Sequence, residues 1–128
     1  MPHQHSFEYA ILRVVPQVER EEFLNVGVIL YSKTLDFLDV KIHLNEQRIF
    51  SLNNQIDLED IKCHLESLIQ ITHGGKQSGP LGSLDKASRF RWLTAKRSTI
   101  VQSSQVHPGL CTNAEKTLDK LFRDLVLM

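Results

Sequence analysis

Phe7-Glu8-Tyr9-Ala10-Ile11-Leu12-Arg13-Val14-Val15 and Asn25-Val26-Gly27-Val28-Ile29-Leu30-Tyr31-Ser32 decide the fold of this chain. Both runs are rich in β-branched and aromatic residues, which suit a pleated surface. Successive side chains of a strand point to opposite faces. In the first run Phe7, Tyr9, Ile11 and Val15 share one face, and Ala10, Leu12 and Val14 share the other. Apolar residues on both faces predict a central strand covered on both sides, with Arg13 the polar exception. Pro16 ends the run, because proline cannot donate to a ladder. The second run is likewise apolar on both faces, and Gly27 inside it predicts a bulge or a close backbone approach. Residues 17–23 are short and charged, and read as a turn or a single helical turn.

Working outward, Leu38, Val40 and Ile42 alternate with Asp39, Lys41 and His43. One face is therefore buried and one wet, as in a strand nearer an edge. The three strands and their short connections predict an antiparallel meander. Beyond Leu44 the apolar period changes from 2 to 3.6. Asn45 is a candidate cap for a short helix reaching Leu52. Asp57 caps a longer helix with the stripe Leu58, Ile61, Leu65, Leu68 and Thr72, stopped by Gly74-Gly75. Residues 74–82 read as a loop. Leu84, Ala87, Phe90 and Leu93 predict a helix over 83–96, Thr99-Ile100-Val101-Gln102 is a candidate fourth strand, and His107-Pro108-Gly109 reads as a turn. Thr112-x-x-Glu115 matches a capping box, and Ala114, Leu118, Leu121, Phe122 and Leu125 form the stripe of a final helix. Strands first and helices after is the α+β pattern. The expectation is one domain over residues 1–128: an N-terminal antiparallel three-strand meander, with a fourth strand near residue 100, packed with three or four helices.

At 128 residues, 41% hydrophobic and 23% charged, the chain needs no disulfide or metal to fold. Its two cysteines, Cys63 and Cys111, are too few for a disulfide framework and fit a reducing compartment. No stretch approaches the ~20 apolar residues of a membrane span. The first residues, Met1 to Ser6, show no basic and then apolar leader pattern, so the expected location is the cytoplasm. The formal net charge of +0 excludes wholesale electrostatic capture of nucleic acid or anionic membrane. Its distribution is uneven. Residues 1–75 hold six Lys/Arg against eleven Asp/Glu, and residues 76–105 hold six against Asp85 alone. Such a split marks either a site for an anionic partner or, more simply, two halves that attract each other across the fold.

Motif chemistry is sparse. Cys63, His64, His107 and Cys111 compose a zinc set only on paper, since no Cys-x-x-Cys pair is present and neighbours 63 and 64 point apart on a helix. Gly74-Gly75-Lys76-Gln77 follows a helix and lacks the Ser/Thr of a phosphate loop. Ser83-Leu84-Asp85-Lys86 has the Ser-x-x-Lys spacing without its partner triplets. No cofactor and no metal are expected, and no motif supports an enzyme class. Two polar constellations remain. One is Glu19-Arg20-Glu21-Glu22 with Asn25, beside Arg13: carboxylates near a guanidinium suit acid–base or metal work, or an ion-pair network closing the turn. The other is Arg89, Phe90, Arg91, Trp92, Lys96, Arg97 and Ser98, with His107 following. Basic residues interleaved with aromatics suit a stacking-plus-phosphate surface, or a helix with Phe90, alone or with Trp92, in the core and the cations solvated or paired to the acidic half.

Tyr9-Ala10-Ile11-Leu12-Arg13-Val14-Val15-Pro16, with Glu19-Arg20-x-Glu22-Phe23-x-Asn25-Val26-Gly27-Val28-Ile29-Leu30, resembles the opening signature of a bacterial family named domain of unknown function 3037. Arg89-Phe90-Arg91-Trp92-Leu93-Thr94-Ala95-x-Arg97-Ser98-Thr99, then Ser104-x-Val106-His107-x-Gly109-Leu110, is similar to its second signature. The resemblance implies a bacterial cytosolic protein, often encoded beside kinases similar to the persistence-type toxin kinase HipA, and hence an accessory role with a kinase-like partner in a toxin–antitoxin or defence locus. It brings no catalytic residue with it. The preferred expectation is thus a small binding or accessory module whose functional surface draws on Arg13, Glu19, Arg20, Glu22, Asn25, Arg91, Arg97, Ser98 and His107. The alternatives are an enzyme acting on a phosphate-containing substrate and, more weakly, nucleic-acid binding through residues 89–97.

Overall fold

In the computed structural model of the chain, residues 3–127 are described; Met1 and Pro2, part of the segment read for a leader, lie outside them. The sheet is organised around β1 (His5–Gln17), which pairs antiparallel with β2 (Glu22–Ser32) across a 3-10 turn at Val18–Arg20. β2 pairs antiparallel with β3 (Phe37–Ile42), completing the expected meander. On its other side β1 carries β4 (Val101–Ser103) and β5 (His107–Cys111), both antiparallel, so that five strands form one sheet among the described residues. The two strands with apolar residues on both faces are the interior ones, and alternating β3 is an edge.

Both faces are covered, as the doubled apolar pattern requires. On one face Ala10, Leu12 and Val14 of β1 and Leu24, Val26, Ile29 and Tyr31 of β2 pack against three helices. These are α1 (Glu46–Leu52), α2 (Leu58–His73) and, beyond the short α3 (Gly79–Gly82), α4 (Lys86–Leu93). They contribute Ile49, Ile61, Leu65, Ile71, Phe90 and Leu93 to this core. Phe90, Ile49, Ile61 and Leu12 are at most 1% exposed. Burial of each such side chain stabilises the fold by ~1.5–3 kcal/mol. On the opposite face α5 (Ala114–Phe122) lays Ala114 and Leu118 onto Phe7, Val28 and Leu30, and a π-helical turn at Arg123–Leu127 adds Val126.

Gly27 serves both purposes its position predicts. Pairing runs from Leu12–Gly27 to Arg13–Asn25, so Val26 is an extra residue and β2 bulges there. A Cβ at 27 would also lie 2.8 Å from the Lys41 carbonyl oxygen and 2.9 Å from Ile42 Cγ1 on β3. Each longer helix begins at a side-chain cap: Asp57 accepts from Asp60 N–H at 3.2 Å, Asp85 from Ser88 N–H at 2.7 Å and Asn113 from Lys116 N–H at 2.9 Å.

Several details differ from the sequence expectations. The final helix is capped by Asn113, one residue after Thr112, because Asn113 takes the extended backbone that aims its oxygen at the first turn. Asp85 likewise starts α4 at Lys86, so the helix is shorter than the 83–96 span. Residues 74–82 are not a plain loop but hold a 3-10 turn and α3. His107-Pro108-Gly109 is strand, not turn: β5 pairs only with β1, and an edge strand tolerates proline. The charge split is partly closed within the fold, since Lys86 pairs with Asp36 at 2.9 Å and Arg91 with Glu8 at 2.7 Å.

Candidate functional site

β4 and β5 are two pieces of one broken strand along β1. Leu12 pairs with Ser103 and Tyr9 with His107, so three steps along β1 oppose four along its partner. Ser104 holds the mismatch. Its backbone N–H donates to the Ile11 carbonyl at 2.8 Å, and its hydroxyl oxygen accepts from the Ile11 N–H at 2.8 Å. The hydroxyl in turn donates to the Gln105 carbonyl at 2.8 Å. A buried serine thus replaces the backbone carbonyl that the break removes.

Beside this break lies a cleft of about 540 Å³. Its basic side chains come from three parts of the chain: Arg13 from β1, Lys96 and Arg97 from the segment after α4, and the His107 imidazole from the start of β5. The remaining wall is hydroxyl and amide, from Thr94, Ser103, Ser104, Gln102 and Gln105. No carboxylate lines it. Among the described residues no Asp or Glu lies within salt-bridge reach of Arg13, Lys96, Arg97 or His107.

Each cleft residue is positioned by its own surroundings. The Arg13 guanidinium lies 4.0 Å from the Phe23 ring centroid, and its buried Nε has no hydrogen-bond partner. Arg13 sits opposite both Asn25 and Gln102 in register, which puts the three on one sheet face. Arg97 stacks on Trp92, 4.0 Å from the ring centroid, and donates to the Trp92 carbonyl at the end of α4. The His107 ring is 5.2 Å from that of Tyr9, with the planes tilted by 34°.

Of the residues singled out in the sequence, Arg13, Arg97 and His107 converge here. The others lie elsewhere. Arg20 pairs with Glu22 in the exposed turn, and Glu19 accepts from Gln17 at 3.0 Å. That hydrogen bond holds the Glu19 carboxyl below its ordinary range, which keeps it a carboxylate rather than an acid. Asn25 donates to the Leu125 carbonyl at 3.2 Å and lines a separate small cavity with Phe23 and Arg48. Arg91 is taken by Glu8, and Ser98 is exposed outside the cleft. Arg89 is 8% exposed and donates to the Leu84 carbonyl, so the basic segment is no continuous stripe. Sequence reasoning did not single out Gln102, Ser103, Ser104 and Gln105, and it named Lys96 only within its segment. The sequence signal nearest the break is Ser103-Ser104 directly after the candidate strand 99–102.

Basic side chains among hydroxyl and amide walls are suited to holding an anion. For proton transfer the cleft offers one general-base candidate, the His107 imidazole, and no carboxylate. The two serine hydroxyls of the wall donate instead to backbone carbonyls, Ser103 to Ser104 at 2.8 Å and Ser104 to Gln105 at 2.8 Å. Among the described residues no group of three or more His, Cys, Asp or Glu side chains gathers to hold a metal ion, and no helix is long and apolar enough to cross a membrane. Cys63 is exposed and Cys111 buried, both as free thiols.

No curated protein and no solved structure matches the chain. A family described as protein of unknown function (DUF3037) matches over residues 9–126, which includes both strands of the opening signature, the basic helix and the broken strand. The chain belongs to that family.

Proposed function

We propose that the chain is a small binding module that takes a phosphate-bearing ligand into the cleft between Arg13, Lys96, Arg97 and His107. The observation that supports this reading is the meeting of three cations and an imidazole with no carboxylate among them. Like charges gathered without a counter-charge oppose folding, and a bound anion relieves that opposition. Arginine offers planar, forked N–H donors that match phosphate oxygens, and lysine adds a compact charge. A charge-assisted hydrogen bond contributes ~1.5–3 kcal/mol. Two or three of them, less the cost of association, correspond to a Kd of roughly millimolar for the phosphate group alone. Such a site also fits an accessory role beside a kinase-like partner, since kinases present both nucleotide and phosphorylated side chains.

The test is calorimetric titration of the purified chain with inorganic phosphate and ribose 5-phosphate at low and at moderate salt. Binding should weaken with salt. Arg13→Gln and Lys96→Gln should each weaken it about tenfold, while Arg20→Gln, at the distant turn, leaves it unchanged. If neither compound binds at millimolar concentration and low salt, or if Arg20→Gln is as harmful as Arg13→Gln, the reading fails.

A further inference from the structure

We propose that the ligand is a mononucleotide, with its phosphate in the cationic cleft and its base in an apolar groove on the far side of Arg97. This rests on the cleft being a phosphate site. The groove, of about 210 Å³, is walled by Leu68 and Ile71 of α2, Trp92 of α4 and Val101 of β4. Arg97 lines both cavities and is the residue at which they adjoin. The two differ sharply in chemistry: one is cationic with hydroxyl and amide walls, the other is apolar with polar groups only from His64, Ser67 and Thr99 besides Arg97.

A ligand filling both must be anionic at one end and flat and apolar at the other. Nucleotides have that form. The groove already holds one stacked pair, the Arg97 guanidinium at 4.0 Å from the indole centroid. Trp92 is nevertheless 37% exposed, although α4 buries its neighbour Phe90 completely. Planar groups of this kind extend a stack readily, because every base offers a π face. The rim hydroxyls of Ser67 and Thr99 and the His64 ring supply donors and acceptors for a base edge.

The surroundings favour a single nucleotide over a polymer. A strand of nucleic acid needs cations that continue beyond its first phosphate. Here Arg91 is held by Glu8 at 2.7 Å, and Arg89 is buried with its guanidinium carbon 3.0 Å from where a Cβ on Gly74 would stand.

Trp92 is the only tryptophan of the chain, so its emission reports on the groove alone. The experiment titrates the full chain with adenosine monophosphate, guanosine monophosphate and ribose 5-phosphate, reading Trp92 fluorescence and, in parallel, calorimetric heat. One of the nucleotides should bind about tenfold more tightly than ribose 5-phosphate, the usual worth of one stacked base, and should change Trp92 emission. Trp92→Leu should weaken nucleotide binding more than ribose 5-phosphate binding, which it also touches through Arg97, and Trp92→Phe should keep most of the nucleotide's advantage. If ribose 5-phosphate binds as tightly as both nucleotides, the nucleotide is refuted and the phosphate site stands. If none of the three binds, both readings fall. Tighter binding of a ten-residue single-stranded RNA than of any mononucleotide would overturn the proposal in favour of a polymer. The wild-type comparison decides the matter even where a Trp92 variant does not fold.

Discussion

Replacing Gly109 by alanine tests the packing that holds the cleft's imidazole edge. Gly109 on β5 stands opposite Phe7 on β1. A Cβ there would lie 2.4 Å from Phe7 Cζ, 2.7 Å from Cε1 and 3.1 Å from Cε2, so it meets the end of the ring squarely. Ordinary contact begins near 3.4 Å, and the ring would have to retreat by about 1 Å. Phe7 is 7% exposed among Val28, Leu30 and Leu118, which leaves it no free space. Overpacking of this kind costs about 1–3 kcal/mol. Alanine restricts the unfolded chain and offsets about 0.4–1 kcal/mol of that. The net expectation is a loss of about 1–2 kcal/mol in urea unfolding, with an unchanged denaturant slope. Phe7→Leu removes the atoms that clash, so in that background Gly109→Ala should cost less by about 1 kcal/mol or more. Equal cost in both backgrounds, or a Gly109→Ala variant as stable as the wild type, would refute the reasoning. The ring also belongs to a row: Phe7 lies 6.0 Å from Tyr9, and Tyr9 lies 5.2 Å from His107. The contact that excludes a side chain at 109 therefore also fixes the imidazole in the cleft.

Two further outcomes follow from caps. Asn113→Ala should destabilise the chain by about 1 kcal/mol in urea melts, whereas Thr112→Ala stays within about 0.5 kcal/mol; the reverse order would return the cap to Thr112. Asp85 has its carboxyl held below the ordinary range by its side-chain and backbone hydrogen bonds to Ser88. A depressed folded value contributes stability above the unfolded value, and this contribution is lost as pH falls through the folded value. Wild type and Asp85→Asn should therefore differ most near neutrality and converge as pH falls through and below the ordinary aspartate range in denaturant midpoints, and a gap that widens in acid would contradict the cap.

Much of the scaffold was legible because it depends on local pattern. The doubled apolar faces of residues 7–15 and 25–32 placed both strands inside the sheet, and the 2-to-3.6 change of period after residue 44 separated sheet from helices. Asn45 and Asp57 were readable as caps because their geometry is written within four residues. The fifth strand was not legible. His107-Pro108-Gly109 has the composition of a turn, and only pairing with β1, about a hundred positions away, holds it extended. The site was legible by halves for the same reason. Arg13 stood out as a charge among apolar residues, and Arg97 and His107 stood out by their neighbours. An ion-pair network closing the 19–22 turn was one of the readings open, but nothing local showed that Arg13 would stand outside it, beside the other cluster.

That position of Arg13 follows from how far α5 extends. The helix packs over β2 and β3, and the π-helical turn that follows it reaches the start of β2, where the Asn25 amide donates to the Leu125 carbonyl. Arg13 lies one strand further on, opposite Asn25 on one side and Gln102 on the other. Under a complete helical cover, a guanidinium in an interior strand without a carboxylate would cost several kcal/mol in lost hydration. At the margin of the cover it keeps part of its hydration and rests its flat face on Phe23, itself 46% exposed. The same margin is where the partner strand slips by one residue and Ser104 mends the ladder. A straight, continuous fourth strand would close the edge and carry its side chains past Arg13. The slip holds the edge open instead, and Lys96, Arg97 and His107 line it. The broken strand and the uncovered arginine are therefore one feature, and the cleft is their joint consequence.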